Sequence, residues 1–174
     1  MIETYQSLIE KNIGAVALDH VETGKLQPAL HLHPGYLLLV CELLRDQQET
    51  YFDFLSAITA VDLGLETNSF QLVYHIASIP YNRQLTLKVT PPSTRSLSLL
   101  PEVSSVSGIW RAAEWHEREA FDLMGIFFSG HPDLRRILLP EDWEGFPLRK
   151  DYKDADSYHG ISMAFNVDKG KANG

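Results

Sequence analysis

Between Phe70 and Val89 the chain alternates strictly enough to leave few choices of fold. Phe70, Leu72, Tyr74 and Ile76 interleave with Gln71, Val73, His75 and Ala77, and Leu85, Leu87 and Val89 interleave with Gln84, Thr86 and Lys88. A period of two puts one set on each face, the pattern of half-solvated strands. Pro80-Tyr81-Asn82 supplies turn chemistry between the runs, so they read as a β-hairpin. Leu55 to Asp62, apolar and β-branched, reads as another strand closed by a Leu63-Gly64 turn, and Ala15 to Val21 as a first one. Pro91-Pro92 ends the strand-rich region.

A sheet with one apolar face must be covered, and two upstream segments have helical spacing. Ile2, Tyr5, Leu8 and Ile9 form a stripe that Gly14 stops. Pro34 opens a second helix to about Arg45, at a first-turn position where its missing N–H costs little. Helices packed on a mixed, antiparallel-rich sheet define an α+β domain. The expected division is residues 1–107 as core with a Ser/Pro-rich connector from Pro91 to Ser107, residues 108–153 as a helix and strap, and residues 154–174 as a tail. Asp168 to Gly174, small and polar, are expected to fray.

Composition removes several function classes. A formal net charge of −8 argues against a general nucleic-acid binder. The single cysteine, Cys41, cannot form an internal disulfide or supply the thiolates of an iron–sulfur cluster. It falls within the second helix and reads as a small core residue, in a reducing, cytoplasmic setting. The longest apolar run, Tyr36 to Cys41, is far short of the roughly 20 residues that span a bilayer. No basic and apolar leader opens the chain, so no secretory signal is expected, and membrane association must come through partners.

Chemistry concentrates between Gly108 and Lys153, which holds all three tryptophans, five of eight arginines and nine carboxylates. Arg and Trp mixed this closely suggest a partner-facing surface. Ser104 or Ser105 can cap a helix running to Met124, with Gly125 as terminator. Projection of Ile109 to Met124 at 100° per residue gathers Ile109, Trp110, Ala113, Ala120, Phe121 and Met124 on one arc, with Glu117 near its centre. Glu114, Arg118 and Asp122 form an acid–base–acid ladder beside it, worth a few tenths of a kcal/mol per pair when exposed. A buried Glu117 must be protonated, paired or set at a partner interface. Arg135, Arg136 and Arg149 are candidate counter-ions, and a structural pair within the chain is the default over an inter-subunit pair or proton transfer. Ile126-Phe127-Phe128 reads as a short strand. Pro140, Gly145 and Pro147 then leave an extended strap anchored by Trp143, Phe146 and charged residues, which needs a surface to lie on.

Catalytic templates fail. His31-x-His33 before Pro34 lacks a third ligand, Trp115-His116-Glu117 puts no two ligands on one helical face, and His131 before Pro132 reads as a loop hydrogen-bonding residue. There is no Gly-x-Gly-x-x-Gly or phosphate-cradling loop, and no nucleophile elbow. A stand-alone enzyme using His131 and Glu117 is the least supported alternative.

Glu117-Arg118-Glu119-x-x-Asp122-Leu123-Met124, six further residues, then His131-x-x-x-Arg135-x-Ile137 resembles the diagnostic pattern of the C subunit (30 kDa subunit family) of respiratory complex I, the proton-pumping NADH:quinone oxidoreductase. Pro140-Glu141-Asp142-Trp143-Glu144-Gly145 and Pro147-Leu148-Arg149-Lys150-Asp151-Tyr152 continue the match. The strands from Ile58 to Val89 are similar more loosely, and the first fifty residues only in general pattern. Phe146 stands where histidine is expected in that family, so no polar role carries over there. The resemblance implies a membrane-extrinsic structural subunit on the cytoplasmic side of the membrane, with no fused neighbouring subunit. Its strap would pack against the D subunit, which helps form the quinone site, with other peripheral-arm subunits alongside. FMN and iron–sulfur clusters would sit in partners, none in this chain, as electrons pass from NADH to quinone. Glu117, Arg118, Glu119, Asp122, His131, Arg135, Arg136, Trp143, Arg149, Lys150 and Asp151 are then structural or interface positions, with no catalytic, cofactor-binding or metal residue among them. The equivalent subunit of a related membrane-bound hydrogenase, or of another electron-input complex, is the alternative.

Overall fold

A computed structural model describes residues 2–24 and 27–162. The hairpin forms the heart of a five-stranded sheet of order β1-β2-β5-β4-β3, with β1 at Leu18–Glu22, β2 at Ala29–Leu32, β3 at Phe54–Asp62, β4 at Phe70–Ser78 and β5 at Arg83–Val89. β2 runs parallel to β5 and the other pairs are antiparallel. The alternation resolves as expected: Phe70, Leu72, Tyr74 and Ile76 are buried, while Gln71, Val73, His75 and Ala77 lie half-buried on the opposite face.

Helix α1 (Ile2–Asn12) buries Tyr5 and Ile9, one turn apart. Helix α2 (Leu37–Asp46) buries Leu37, Val40, Cys41 and Leu44 at the i, i+3, i+4, i+7 spacing of an amphipathic helix. Each large aliphatic side chain so covered contributes about 1.5–3 kcal/mol. A 3₁₀ turn, Pro34–Tyr36, precedes α2, and the His33 imidazole accepts from the Gly35 N–H. Burial of Cys41 pushes its thiol well above the usual range, as suits a core residue.

Several expectations are corrected. Ala15–Ala17 is a 3₁₀ turn, so the first strand begins at Leu18 and not at Ala15, and the second helix begins at Leu37 and not at Pro34. Strand β2 was not foreseen: four residues are too few to show a period, and its partner β5 lies more than fifty residues away. The third helix, α3, spans Ala113–Met124 and does not begin at Ser104 or Ser105. Glu102–Ser104 instead forms β6, parallel to β7 (Phe127–Ser129), and the Ser105 N–H extends that ladder to the Ser129 carbonyl. Val106 to Ala112 is a run of turns, so the Ser/Pro connector contains a strand at its end.

Gly125 terminates α3 as expected, in the left-handed region at φ 64°. A Cβ there would collide with the Phe146 ring, so glycine satisfies both backbone and packing. Beyond β7 the chain runs as an extended strap over α3, and β8 (Ser157–Tyr158) and β9 (Ile161–Ser162) close a small hairpin. Residues 163–174, including the fraying expected from Asp168 onward, lie outside the described residues. Among the described residues no helix is long and apolar enough to cross a membrane.

Candidate functional site: the clamp between the third helix and the strap

Within the shorter α3 the projected arc holds for Ala113, Glu117, Ala120 and Met124, which are buried, while Phe121 is half-buried; Trp110, buried, and Ile109, half-buried, lie in the turns before the helix. Glu117 is fully covered, but none of the three expected arginines meets it. Its Oε2 accepts from the Ser105 hydroxyl at 2.5 Å, and its Oε1 from the Val106 N–H at 2.8 Å. The serine expected to cap the helix thus holds a glutamate one helical turn inside it.

His131 comes within 4.0 Å of the carboxylate, yet its bonds are spent elsewhere. Its Nδ1 accepts from the Asp133 N–H at 3.0 Å, which leaves Nε2 to donate to the Glu114 carbonyl at 3.0 Å. The imidazole thus ties the strap to α3, in agreement with a loop role. With no cation to offset burial, the Glu117 carboxyl is raised to about 7, its two hydrogen bonds working against desolvation.

Asp122, five residues on, is equally buried and lies in the opposite environment. The N–H groups of Ile137, Leu138 and Leu139 converge on its Oδ2 at 3.0, 2.7 and 2.9 Å, and Arg136 donates to Oδ1 at 2.7 Å. Burial acts to raise this carboxyl, but the Leu139 and Leu138 N–H groups, Arg136 and the Ile137 N–H outweigh it and hold it below the ordinary range. The exposed ladder with Glu114 and Arg118 is therefore not formed. Asp122 faces the strap, and Arg118 donates to the Arg135 and Arg136 carbonyls at 3.2 Å each while lying over the Trp115 ring.

The remaining arginines divide between clamp and surface. Arg136 also donates to the Trp143 and Gly145 carbonyls at 3.0 and 3.1 Å. Buried Arg149 meets no carboxylate among the described residues: it donates to the Met124, Gly125 and Arg95 carbonyls and lies between the Phe70 and Phe146 rings. A cation on the last carbonyls of α3 complements the helix dipole there. Arg135 is exposed, and among the described residues its side chain bonds only to Asp133, at 2.9 Å.

A second clamp was not foreseen. Asp62, at the end of β3, is gripped by the Arg95 guanidinium and accepts the N–H of Gly64 and of Lys150, both at 2.8 Å. The Arg95 hydrogen bond drives this carboxyl well below the usual range against the effect of burial. Arg95 also reaches Asp151 at 3.3 Å. Lys150 thus contributes its backbone, with its side chain in solvent, and Asp151 contributes its carboxylate. The one arginine in a Ser/Pro-rich connector was the available signal. Trp143 is half-buried against Tyr158, and Glu119 is exposed at the rim of α3 with no role in either clamp.

Among the described residues no group of three His, Cys, Asp or Glu is arranged to hold a metal. Glu117, Asp122, Asp151, Arg118, Arg136 and Arg149 of the dense segment fasten α3, the strap and the sheet together. The site is thus a buried polar clamp in an α+β domain.

Residues 30–158 match the family model of the respiratory-chain NADH dehydrogenase 30 Kd subunit, and the chain belongs to that family. The C subunit of the NADH-quinone oxidoreductase of Roseiflexus sp. is 44% identical over 142 residues, 81% of this chain and 77% of that protein. The corresponding protein of Salinispora arenicola is 39% identical over 137 residues, and one from Rhizobium etli 46% over 119 residues. The matched stretch covers 78% and 68% of this chain and spans 54% and 60% of those two proteins. A chain of the membrane-bound sulfane sulfur reductase, an archaeal respiratory membrane complex, shares the fold with a TM-score of 0.69 at 22% identity, covering 87% of this chain and 85% of that one.

Proposed function

We propose that the chain is a non-catalytic, membrane-extrinsic subunit of a proton-translocating NADH:quinone oxidoreductase. In this reading it fixes the geometry of its neighbours on the cytoplasmic side of the membrane, chiefly the D subunit. It binds no cofactor. FMN and iron–sulfur clusters in partner subunits carry electrons from NADH to quinone.

The observation that carries the proposal is the spending of the motif. Glu117, Asp122, Arg136 and Arg149 have their hydrogen-bonding capacity committed inside the domain. A catalytic acid or base must instead present its reactive atom to a substrate. A buried, unreactive Cys41 supports clusters being held elsewhere. The relatives' names favour the NADH:quinone enzyme over a hydrogenase-type assembly.

Affinity purification of the tagged full chain from its native membranes tests this. The expected eluate contains the D subunit and flavin-bearing subunits and reduces quinone with NADH, while the chain alone oxidises no NADH. Recovery with nickel-hydrogenase subunits, or turnover by the chain alone, would refute it.

A further inference from the structure

The two edges of the sheet are built differently. β1 is five residues long, carries Asp19, His20 and Glu22, and has an irregular register at Leu18/His20. Short, charged, irregular edges resist pairing with other strands. β3 is nine residues long, has no proline, and its only charge is Asp62, which is turned inward onto Arg95. Its register with β4 shifts once, between Leu55 and Ala57, and runs regularly from Ala57 to Asp62.

Among the described residues nothing pairs with the outer side of β3. It ends the strand order, and none of residues 54–62 makes a backbone hydrogen bond outside the sheet ladder. An antiparallel edge strand points alternate N–H and C=O groups outward, and in this stretch they have no partner among the described residues. Beside the edge is a cleft of about 140 Å³ walled by Ile58, Ala60, Ala120, Leu123 and Leu148, with Glu119 on its rim. Leu148 is 58% exposed there although apolar. The Leu148 N–H bonds the Leu123 carbonyl, so the strap fixes the cleft wall.

From this we infer that the β3 edge seats an extended segment of a neighbouring subunit, added as a sixth strand of the sheet. The proposal rests on the complex-subunit reading above. Free backbone donors and acceptors at strand spacing are complementary to another extended backbone, which sets the class of occupant. The pleat sets its pattern: side chains on the α3 side are small and apolar, to fill a cleft lined by Ala60 and Ala120, and those beside Thr59 and Val61 are polar or β-branched. Glu119 on the rim favours a Lys or Arg at the end of the segment.

Hydrogen exchange on the full chain, alone and in the purified complex, tests the pairing. Every second amide from Ala57 to Asp62 is expected to slow by roughly two orders of magnitude on assembly, while the alternate amides, already bonded to β4, change little. The double variant Thr59→Lys/Val61→Lys, both positions exposed, is expected to unfold like wild type and to be recovered at least about tenfold less with the complex; Val16→Lys, on an unrelated exposed position, is the control. Incorporation with unchanged β3 exchange overturns the edge pairing and leaves the subunit reading intact. Failure of the wild-type chain to enter any complex overturns both. A dimer of the chain alone showing the same alternating protection assigns the edge to a second copy and also overturns the proposal.

Discussion

Replacing Glu117 by glutamine removes one titration and leaves the shape of the site. In the wild type the carboxyl is raised from 4.5 to about 7 by burial with only two hydrogen bonds against it. The native state therefore holds a proton that the unfolded chain releases, and stability is lost as pH rises from about 4.5 to 7 and is level above that. A rise from 4.5 to about 7 corresponds to about 3 kcal/mol across the window. In Glu117→Gln the amide oxygen accepts the Val106 N–H, and the amide nitrogen donates to the Ser105 hydroxyl. The variant matches wild type near pH 4.5 and exceeds it by up to about 3 kcal/mol at pH 8. Urea unfolding of the chain at half-unit pH steps reads this directly. His31, whose pKa burial lowers, titrates in the opposite sense over part of the same range, so the difference between variant and wild type isolates Glu117. A difference that stays flat from pH 5 to 8, or a variant weaker by more than about 2 kcal/mol throughout, refutes a lone buried acid.

Gly125→Ala forces a left-handed non-glycine and a Cβ into the Phe146 ring, and thermal unfolding is expected to show a loss of at least about 2 kcal/mol. Arg135→Ala removes only an exposed pair with Asp133 and shifts the melting free energy by less than about 0.5 kcal/mol, so any loss of co-purifying subunits reports a partner contact. Arg118→Ala releases two strap carbonyls and costs about 1–2 kcal/mol, visible as faster proteolysis between Leu134 and Leu139.

What could be read from the chain followed from periodicity. The hairpin, both N-terminal helices, the Gly125 stop and the buried arc of α3 are local patterns that packing preserved. The errors were of range. β2 is too short to carry a period, and its neighbours β1 and β5 are set by the sheet. Ser105 looks like a helix cap because serine near an amphipathic run often is one, but pairing of β6 with β7 takes it into the ladder. The choice of arginine for each acid was also illegible: Arg135, Arg136 and Arg149 are close in sequence, yet one is in solvent, one holds Asp122 and one holds backbone carbonyls. Sequence spacing brings charges into a neighbourhood, and the strap's path decides which pairs form.

Glu117 and Asp122 show how little residue type says once burial is complete. They sit five residues apart on one helix, both fully buried, and their carboxyls move in opposite directions. Donor supply is the difference: a hydroxyl and one N–H for Glu117, three N–H groups and a guanidinium for Asp122. In Asp122→Asn the side-chain oxygen can still take the three strap N–H groups, but its NH₂ then faces the Arg136 guanidinium, donor against donor. A cost of about 2–4 kcal/mol is expected at neutral pH. Since the native carboxyl is depressed, its stabilisation is present above the unfolded pKa and is lost as pH falls through the folded one. The Asp122→Asn cost therefore shrinks on acidification below about pH 4, whereas the Glu117→Gln gain appears only on the alkaline side. Profiles that move together instead of crossing would mean that one shared field, and not donor count at each carboxyl, sets the two pKa values.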